Sequence, residues 1–312
     1  MKVANKVTFI LLLCVFCFIL FTLPSFSPGQ TTNERQITFG DGPDQCPCWS
    51  PDGKSIAFHS QRSGNADIWL VPASGVPLRQ LTRTKVDENF PKWSPNGKGI
   101  AFVRFTQGAR QGLGNIFVMN ADGTNEYQLT DDGTMKSGLA WHPDGKHIVC
   151  SEARGTKESF ETDVWLINIE TKSRQKLLDG YRQVTQKGLM VADLSLNSNG
   201  TEMAFSGVPE DHSNDRWLYT VSLKTKKPNA IVTDMYRPWS CTWRPDDKLI
   251  AFQSGKMEAS EIWVITPDGK NRRKVTSSTK GDRFPCWSPD SKQIVFTRGT
   301  QKGAHIWVAI VE

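Results

Sequence analysis

The chain has 312 residues, of which 38% are hydrophobic and 22% charged, and a formal net charge of +6. Charges of both signs are interspersed and no basic tract occurs, which argues against a nucleic-acid partner and reads as an ordinary solvated surface.

The first element is an N-terminal leader. Lys2 and Lys6 precede an uncharged 17-residue stretch, Val7 to Leu23, and a polar exit from Pro24 to Gly29. A basic start, an apolar centre and a polar exit are the layout of a secretory signal. Its basic end is expected to stay cytoplasmic, so the rest of the chain is exported, to the periplasm or the cell exterior. Ser25-x-Ser27 resembles a small-x-small cleavage site, but Pro28 follows it, and the apolar stretch sits at the lower limit for crossing a bilayer. Residues 1–30 are therefore either a cleaved signal or an anchor held in the inner membrane through residues 7–23. Leu13 ahead of Cys14 is too large for a lipoprotein-type site.

After residue 35 one short pattern recurs six times: WSPDGKSIAF from Trp49, WSPNGKGIAF from Trp93, WHPDGKHIVC from Trp141, LNSNGTEMAF from Leu196, WRPDDKLIAF from Trp243 and WSPDSKQIVF from Trp287. The copies start 44, 48, 55, 47 and 44 residues apart, a period that signals a repeated supersecondary unit. Each unit has a short run into a Ser-Pro-Asp-Gly type turn, then an alternating strand such as Ser55 to Phe58. A second apolar strand follows, such as Asp67 to Val71, and the unit closes on a Leu-Thr or Val-Thr signature. β-branched and aromatic residues between Pro, Asp, Asn and Gly turns predict four antiparallel strands per unit. The predicted fold is all-β: a six-bladed β-propeller of four-stranded blades over residues 31–312. The last unit stops after its third strand, while Arg35 to Phe39 carries an orphan closing signature, so the N-terminal strand is expected to complete the last blade and close the ring. Tryptophans at 49, 93, 141, 243 and 287, and at 69, 165, 263 and 307, are expected to fill the space between blades.

This repeat resembles that of the TolB-type propeller family, with the fourth copy degenerate at Leu196 and Ser198. Similar blades occur in the bacterial Tol envelope protein, in the non-catalytic domains of prolyl oligopeptidase-like peptidases and in many secreted proteins. The Tol envelope protein carries an α/β domain ahead of its propeller. Here about a dozen residues separate the leader from the first strand, so that domain is expected to be absent. The chain holds neither a hydrolase domain nor a G-x-S-x-G elbow, which turns the reading away from a peptidase.

The candidate chemistry is sparse. Five histidines (59, 142, 147, 212 and 305) form no ligand spacing, and the recurring turn aspartates are explained by turn formation. No metal, cofactor or catalytic group is expected. Cys46-x-Cys48 has no matching pair elsewhere. Cys48 and Cys286 share the position before the motif tryptophan in blades that abut at closure. A bridge is conceivable, but buried apolar thiols are the expectation. Attention falls on the inter-blade segments, expected to line the tunnel mouth: Asp44, Glu88 with Asn89, Lys136, Asp193, Arg237 with Trp239, and Asp282 with Arg283. Longer loops in blades two to four, Arg104 to Gly114, Glu152 to Thr162 and Gly207 to Asp215, are expected to raise one side of the same rim. The expected role is a monomeric, non-catalytic binder of an envelope protein or peptide, as the family resemblance implies. Trp239 is also open to a packing role. The alternative is a carbohydrate binder or a polysaccharide lyase-like enzyme.

Overall fold

The recurring turns organise the molecule. In the first, Ser50 Oγ donates to Asp52 Oδ1 at 2.6 Å, Lys54 N–H donates to the same oxygen at 3.0 Å, and Gly53 takes φ 70°. The turn aspartates thus serve the turns themselves, as Asp290 does with Ser288 and Lys292 in the last repeat. Every such turn hands the chain to a strand ending in a fully buried apolar stretch, and Phe58, Phe102, Phe205, Phe252 and Phe296 are each at most 1% exposed. Burying one such ring stabilises the fold by roughly 1.5–3 kcal/mol.

The computed structural model describes residues 34–106, 113–155, 160–178, 191–207, 215–301 and 303–311. The N-terminal leader and the tips of the three longer loops lie outside the described residues.

Twenty-four described strands form six four-stranded antiparallel sheets. After β1 (Glu34–Gln36), the first blade comprises β2 (Asp44–Trp49), β3 (Ser55–Ser60), β4 (Asp67–Pro72) and β5 (Arg79–Gln80). The second has β6 (Glu88–Trp93), β7 (Gly99–Phe105), β8 (Gly114–Asn120) and β9 (Tyr127–Gln128). The third has β10 (Met135–Trp141), β11 (His147–Gly155), β12 (Phe160–Asn168) and β13 (Arg174–Leu178). The fourth has β14 (Ala192–Leu196), β15 (Glu202–Gly207), β16 (Trp217–Ser222) and β17 (Pro228–Val232). The fifth has β18 (Trp239–Trp243), β19 (Ile250–Ser254), β20 (Glu261–Ile265) and β21 (Arg273–Lys274). The sixth has β22 (Asp282–Trp287), β23 (Gln293–Thr300) and β24 (Gly303–Ile310), and its fourth strand is β1. This is the six-bladed propeller, closed by its N-terminal strand, that the repeats predict.

The closure reuses the Leu-Thr signature. Thr82, Thr130 and Thr276 each accept the N–H of Ile68, Ile116 and Ile262 through the side-chain oxygen, at 2.9, 2.9 and 3.0 Å. Thr38 accepts from Ile306 in the same way at 3.0 Å, across 268 residues of sequence. Arg298 adds an ion pair to Glu34 at 2.5 Å. Successive inner strands touch around the ring, and β22 meets β2. The core lies in the layers between blades: Trp49, Ile56, Phe58 and Val71 of blade one pack with Val295, Ile306 and Val308 of blade six.

Of the motif tryptophans, Trp49, Trp243 and Trp287 are buried, and Trp93 and Trp141 are half-buried against the clusters between blades. The third-strand set is half-buried, with a cation over each ring: Arg62 over Trp69 at 5.4 Å, Arg174 over Trp165 at 4.6 Å, Lys274 over Trp263 at 5.4 Å and Arg298 over Trp307 at 4.8 Å. These rings also pack against the clusters between blades, as the repeats predict, while carrying a cation on one face.

Candidate functional site

All six inner strands break register just before the motif position, between Gln45 and Cys48, Asn89 and Lys92, Lys136 and Gly138, Ala192 and Ser195, Trp239 and Thr242, and Arg283 and Cys286. A β-bulge inserts a residue and re-aims side chains. Here the residue three before the motif takes a left-handed conformation in five blades: Cys46 (φ 52°), Phe90 (59°), Asp193 (51°), Ser240 (47°) and Phe284 (55°). Such strain in non-glycine residues persists where the surroundings enforce it, and it clusters at functional sites. These five, with Gly138 of blade three, line a cavity of about 230 Å³ enclosed by the inner strands, and Cys48, Lys92 and Cys286 line it too.

The nine residues singled out in the sequence do not form one site. Asp44, Glu88 and Asp282 are 0% exposed and Lys136 is 4% exposed, each held in an ion pair within its own blade. Arg62 binds Asp44 at 2.6 and 2.7 Å, Arg104 Nε binds Glu88 at 2.6 Å, and Arg298 grips Asp282 with two donors at 2.6 and 2.8 Å. Blade three inverts the pattern, with Lys136 Nζ 3.4 Å from Glu152. Glu88 and Arg104, Asp282 and Arg298, and Lys136 and Glu152 are direct cross-strand partners, so these charges brace the start of each inner strand. Burial works against the charge on Arg298, but hydrogen bonds to Asp282 and Glu34 outweigh it and hold its pKa above the ordinary arginine value. Burial also raises the Glu88 pKa, against the pull of Thr82 and Arg104. Asn89 is buried beside Glu88.

Blades four and five lack this brace, since Val191 and Pro238 stand where the other blades have an acid or Lys136. Of the remaining candidates, Asp193, Arg237 and Trp239 gather here. Asp193 accepts hydrogen bonds from the Trp239 indole N–H and from Ser240 Oγ, the latter at 2.8 Å. Burial still raises its pKa, although Lys92 and Arg216 oppose that rise. Trp239 is half-buried, and Arg237 is exposed in the left-handed region at φ 44°. Arg283 belongs to blade six, and its Nε has no hydrogen-bond partner.

Arg216 was not among the sequence candidates. Its guanidinium lies 3.6 Å from the centroid of the Trp239 ring, and its Nη1 has no hydrogen-bond partner. Burial pushes its pKa down to about 10, with Arg237 adding to the drop and Asp193 resisting it. The signal lay in the repeat. The residue two before the motif isoleucine or its counterpart is Ala66, Gly114, Thr162, Ser260 or Ala304 in the other blades, and all five are buried. At that blade junction, Ala66 O accepts from Glu88 N and Ser260 O from Asp282 N, both at 2.7 Å. An arginine at this point of blade four therefore reaches the first strand of blade five, where no carboxylate waits.

The site offers cationic donors, an aromatic face and one hydrogen-bonded carboxylate. Among the described residues, no three His, Cys, Asp or Glu side chains gather as metal ligands. That inventory suits recognition of an anionic group.

The class is therefore a six-bladed β-propeller with a polar, strained channel. A family model for the TolB beta propeller domain matches residues 28–178, so that stretch of the chain carries TolB-type propeller repeats. An uncharacterized protein of Agrobacterium fabrum is 34% identical over 120 residues, or 36% of this chain and 41% of that protein. TolB from Acinetobacter baumannii superposes with a TM-score of 0.65 at 19% identity, over 79% of this chain and 57% of that one. An oligogalacturonate lyase from Vibrio parahaemolyticus superposes with a TM-score of 0.62 at 14% identity, over 91% and 95%. At these identities the two solved structures share the fold. The chain spans less than two-thirds of both the Agrobacterium relative and the Acinetobacter TolB.

Proposed function

We propose that this protein is an exported, non-catalytic propeller that binds an acidic segment of an envelope protein or peptide where blades four and five meet the channel. One observation carries the reading: Arg216 is half-buried on Trp239 with a donor left unpartnered, beside exposed Arg237 and in a sector without the buried ion pairs of its neighbours. A guanidinium stacked on an aromatic ring is held in place, which favours carboxylate recognition, and Arg with Trp is a common interface anchor. The leader of residues 1–30 supports export, whether it is cleaved or retained as an anchor.

An array of acidic, neutral and basic peptides tests this directly. Acidic peptides should bind selectively, weaken with salt, and lose about tenfold or more in affinity on Arg216→Gln or Arg237→Glu, a loss of about 1.4 kcal/mol. Equal binding to all three peptide classes, or affinity indifferent to both substitutions, would remove this sector from the function. The fold shared with the oligogalacturonate lyase favours acidic carbohydrate as a second reading, because the same cations suit a uronate carboxylate. Oligogalacturonide binding that Arg216→Gln abolishes, with no peptide binding, would select it.

A further inference from the structure

Four of the five propeller cysteines, Cys46, Cys48, Cys241 and Cys286, line the central cavity, and none is in a disulfide. Two of them are matched. Cys48 on β2 and Cys286 on β22 precede Trp49 and Trp287, on inner strands that touch where the ring closes. Their Sγ atoms take the same pose, 3.8 and 3.7 Å from the carbonyl oxygen of the tryptophan that follows. The two thiols also lie within hydrogen-bonding reach of each other. The others are engaged elsewhere: Cys241 Sγ sits 3.1 Å from Asp193 O, and Cys46 occupies the strained bulge position. Across the cavity, Lys92 brings an ammonium whose charge acts on both matched cysteines.

We propose that Cys48 and Cys286 are an oxidisable thiol pair that closes into a disulfide across the junction of the first and last blades. The hydrogen bond from Cys286 lowers the Cys48 pKa to about 6, overcoming burial and helped by Lys92, while Cys286 is raised by the same bond. A depressed thiol beside a cation and a second cysteine is the arrangement of a reactive dithiol. The oxidant is a small organic disulfide. The thiolate of one cysteine of the pair attacks one sulfur of the oxidant and expels one thiolate. The second cysteine then loses its proton to solvent and attacks the first one's Sγ, expelling the second thiolate. Two cysteine thiols are oxidised, and one external disulfide is reduced to two thiols. The bond would fasten covalently a junction otherwise held by apolar packing, the hydrogen bonds of β1 to β24 and the Glu34–Arg298 pair.

The test treats the purified full chain with hydroxyethyl disulfide, blocks free thiols, and maps non-reduced peptides by mass spectrometry. A peptide pair joining the Cys46/Cys48 segment to the Cys286 segment is expected. It should persist in Cys46→Ala and Cys241→Ala and vanish in Cys48→Ala and Cys286→Ala. Closing so long a loop should raise the melting temperature by about 10 °C, reversed by dithiothreitol. Near-UV circular dichroism checks that each variant is folded. If Cys48→Ala leaves the crosslink intact, if the linkage runs to Cys241, or if the folded wild type keeps all its thiols under conditions that oxidise the unfolded chain, the proposal is overturned.

Discussion

Two junctions of the ring solve the same problem in opposite ways. At the start of β22, Asp282 is buried under a two-donor grip from Arg298, which also reaches Glu34 of the closing strand. At the start of β18 that acid is replaced by Pro238, and an arginine of the preceding blade, Arg216, lies on Trp239 with a donor unpartnered. The first junction satisfies its charges internally, and the second leaves a guanidinium donor without a hydrogen-bond partner. In a repeat protein built from one template, the copy that departs from the template is where selection for something other than folding shows.

The largest expected effect comes from breaking the satisfied junction. Arg298→Met should strand buried Asp282 and cost about 3–5 kcal/mol, a fall of roughly 10 °C in melting temperature by calorimetry. A change within about 2 °C would mean that the triad of Glu34, Arg298 and Asp282 contributes nothing to closure.

Blade three sharpens the comparison because its pair is reversed. Lys136→Glu combined with Glu152→Arg would copy the polarity of blade two. It should still leave the protein about 2 kcal/mol less stable by urea denaturation, since the pair is embedded in a larger network. Asp132 lies 2.5 Å from Lys136, and Arg174 lies 2.6 Å from Asp132 and 2.5 Å from Glu152, so both new charges would meet their like. Full recovery would show that each blade tolerates either polarity.

These residues also mark what was legible in the sequence. The six blades and the closing strand could be read because turn glycines, buried phenylalanines and the Thr38 signature are local chemistry, repeated. The ion pairs could not be read by listing charged inter-blade residues, because the partner is set by strand register. Glu88 and Arg104 stand 16 residues apart, as do Asp282 and Arg298, a constancy visible only when repeats are aligned beyond the motif. The bulge left only a partial mark: Cys46, Phe90, Gly138, Asp193, Ser240 and Phe284 share no property, and a proline follows in three blades alone, at Pro47, Pro91 and Pro285. It arises from the curvature that inner strands need around a channel. Arg216 was the reverse case, legible as the one long side chain in a column of small ones and missed because it lies outside the motif.

A smaller effect separates the junctions by pH. His59 is 7% exposed, packs edge-on to Phe90 at 6.0 Å, and has an unpartnered Nδ1. Burial lowers its pKa from 6.5 to about 3. Between those values the unfolded chain binds a proton that the folded chain refuses. Its contribution is therefore intact above pH 6.5 and is lost as pH falls below it, at up to about 1.4 kcal/mol per pH unit. His59→Phe should flatten the slope of stability between pH 6 and pH 4 by about that amount, measured by urea unfolding. An unchanged slope would mean that water reaches the ring.

The smallest effect is the most telling, because it asks the same residue type to behave differently in the two junctions. Burial disfavours the charged form of Arg216, and its loss leaves no fully buried carboxylate stranded, since Asp193 keeps Trp239 and Ser240 as donors. Arg216→Gln should therefore change stability by no more than about 0.5 kcal/mol, and a small gain is the expected sign. Arg298→Met removes the same group and should cost several times more. A side chain whose removal is free to the fold, yet costs tenfold in affinity for an acidic ligand, is held for binding. If Arg216→Gln instead destabilises the protein as Arg298→Met does, the two junctions are variants of one structural brace, and the unpartnered donor on Trp239 belongs to folding.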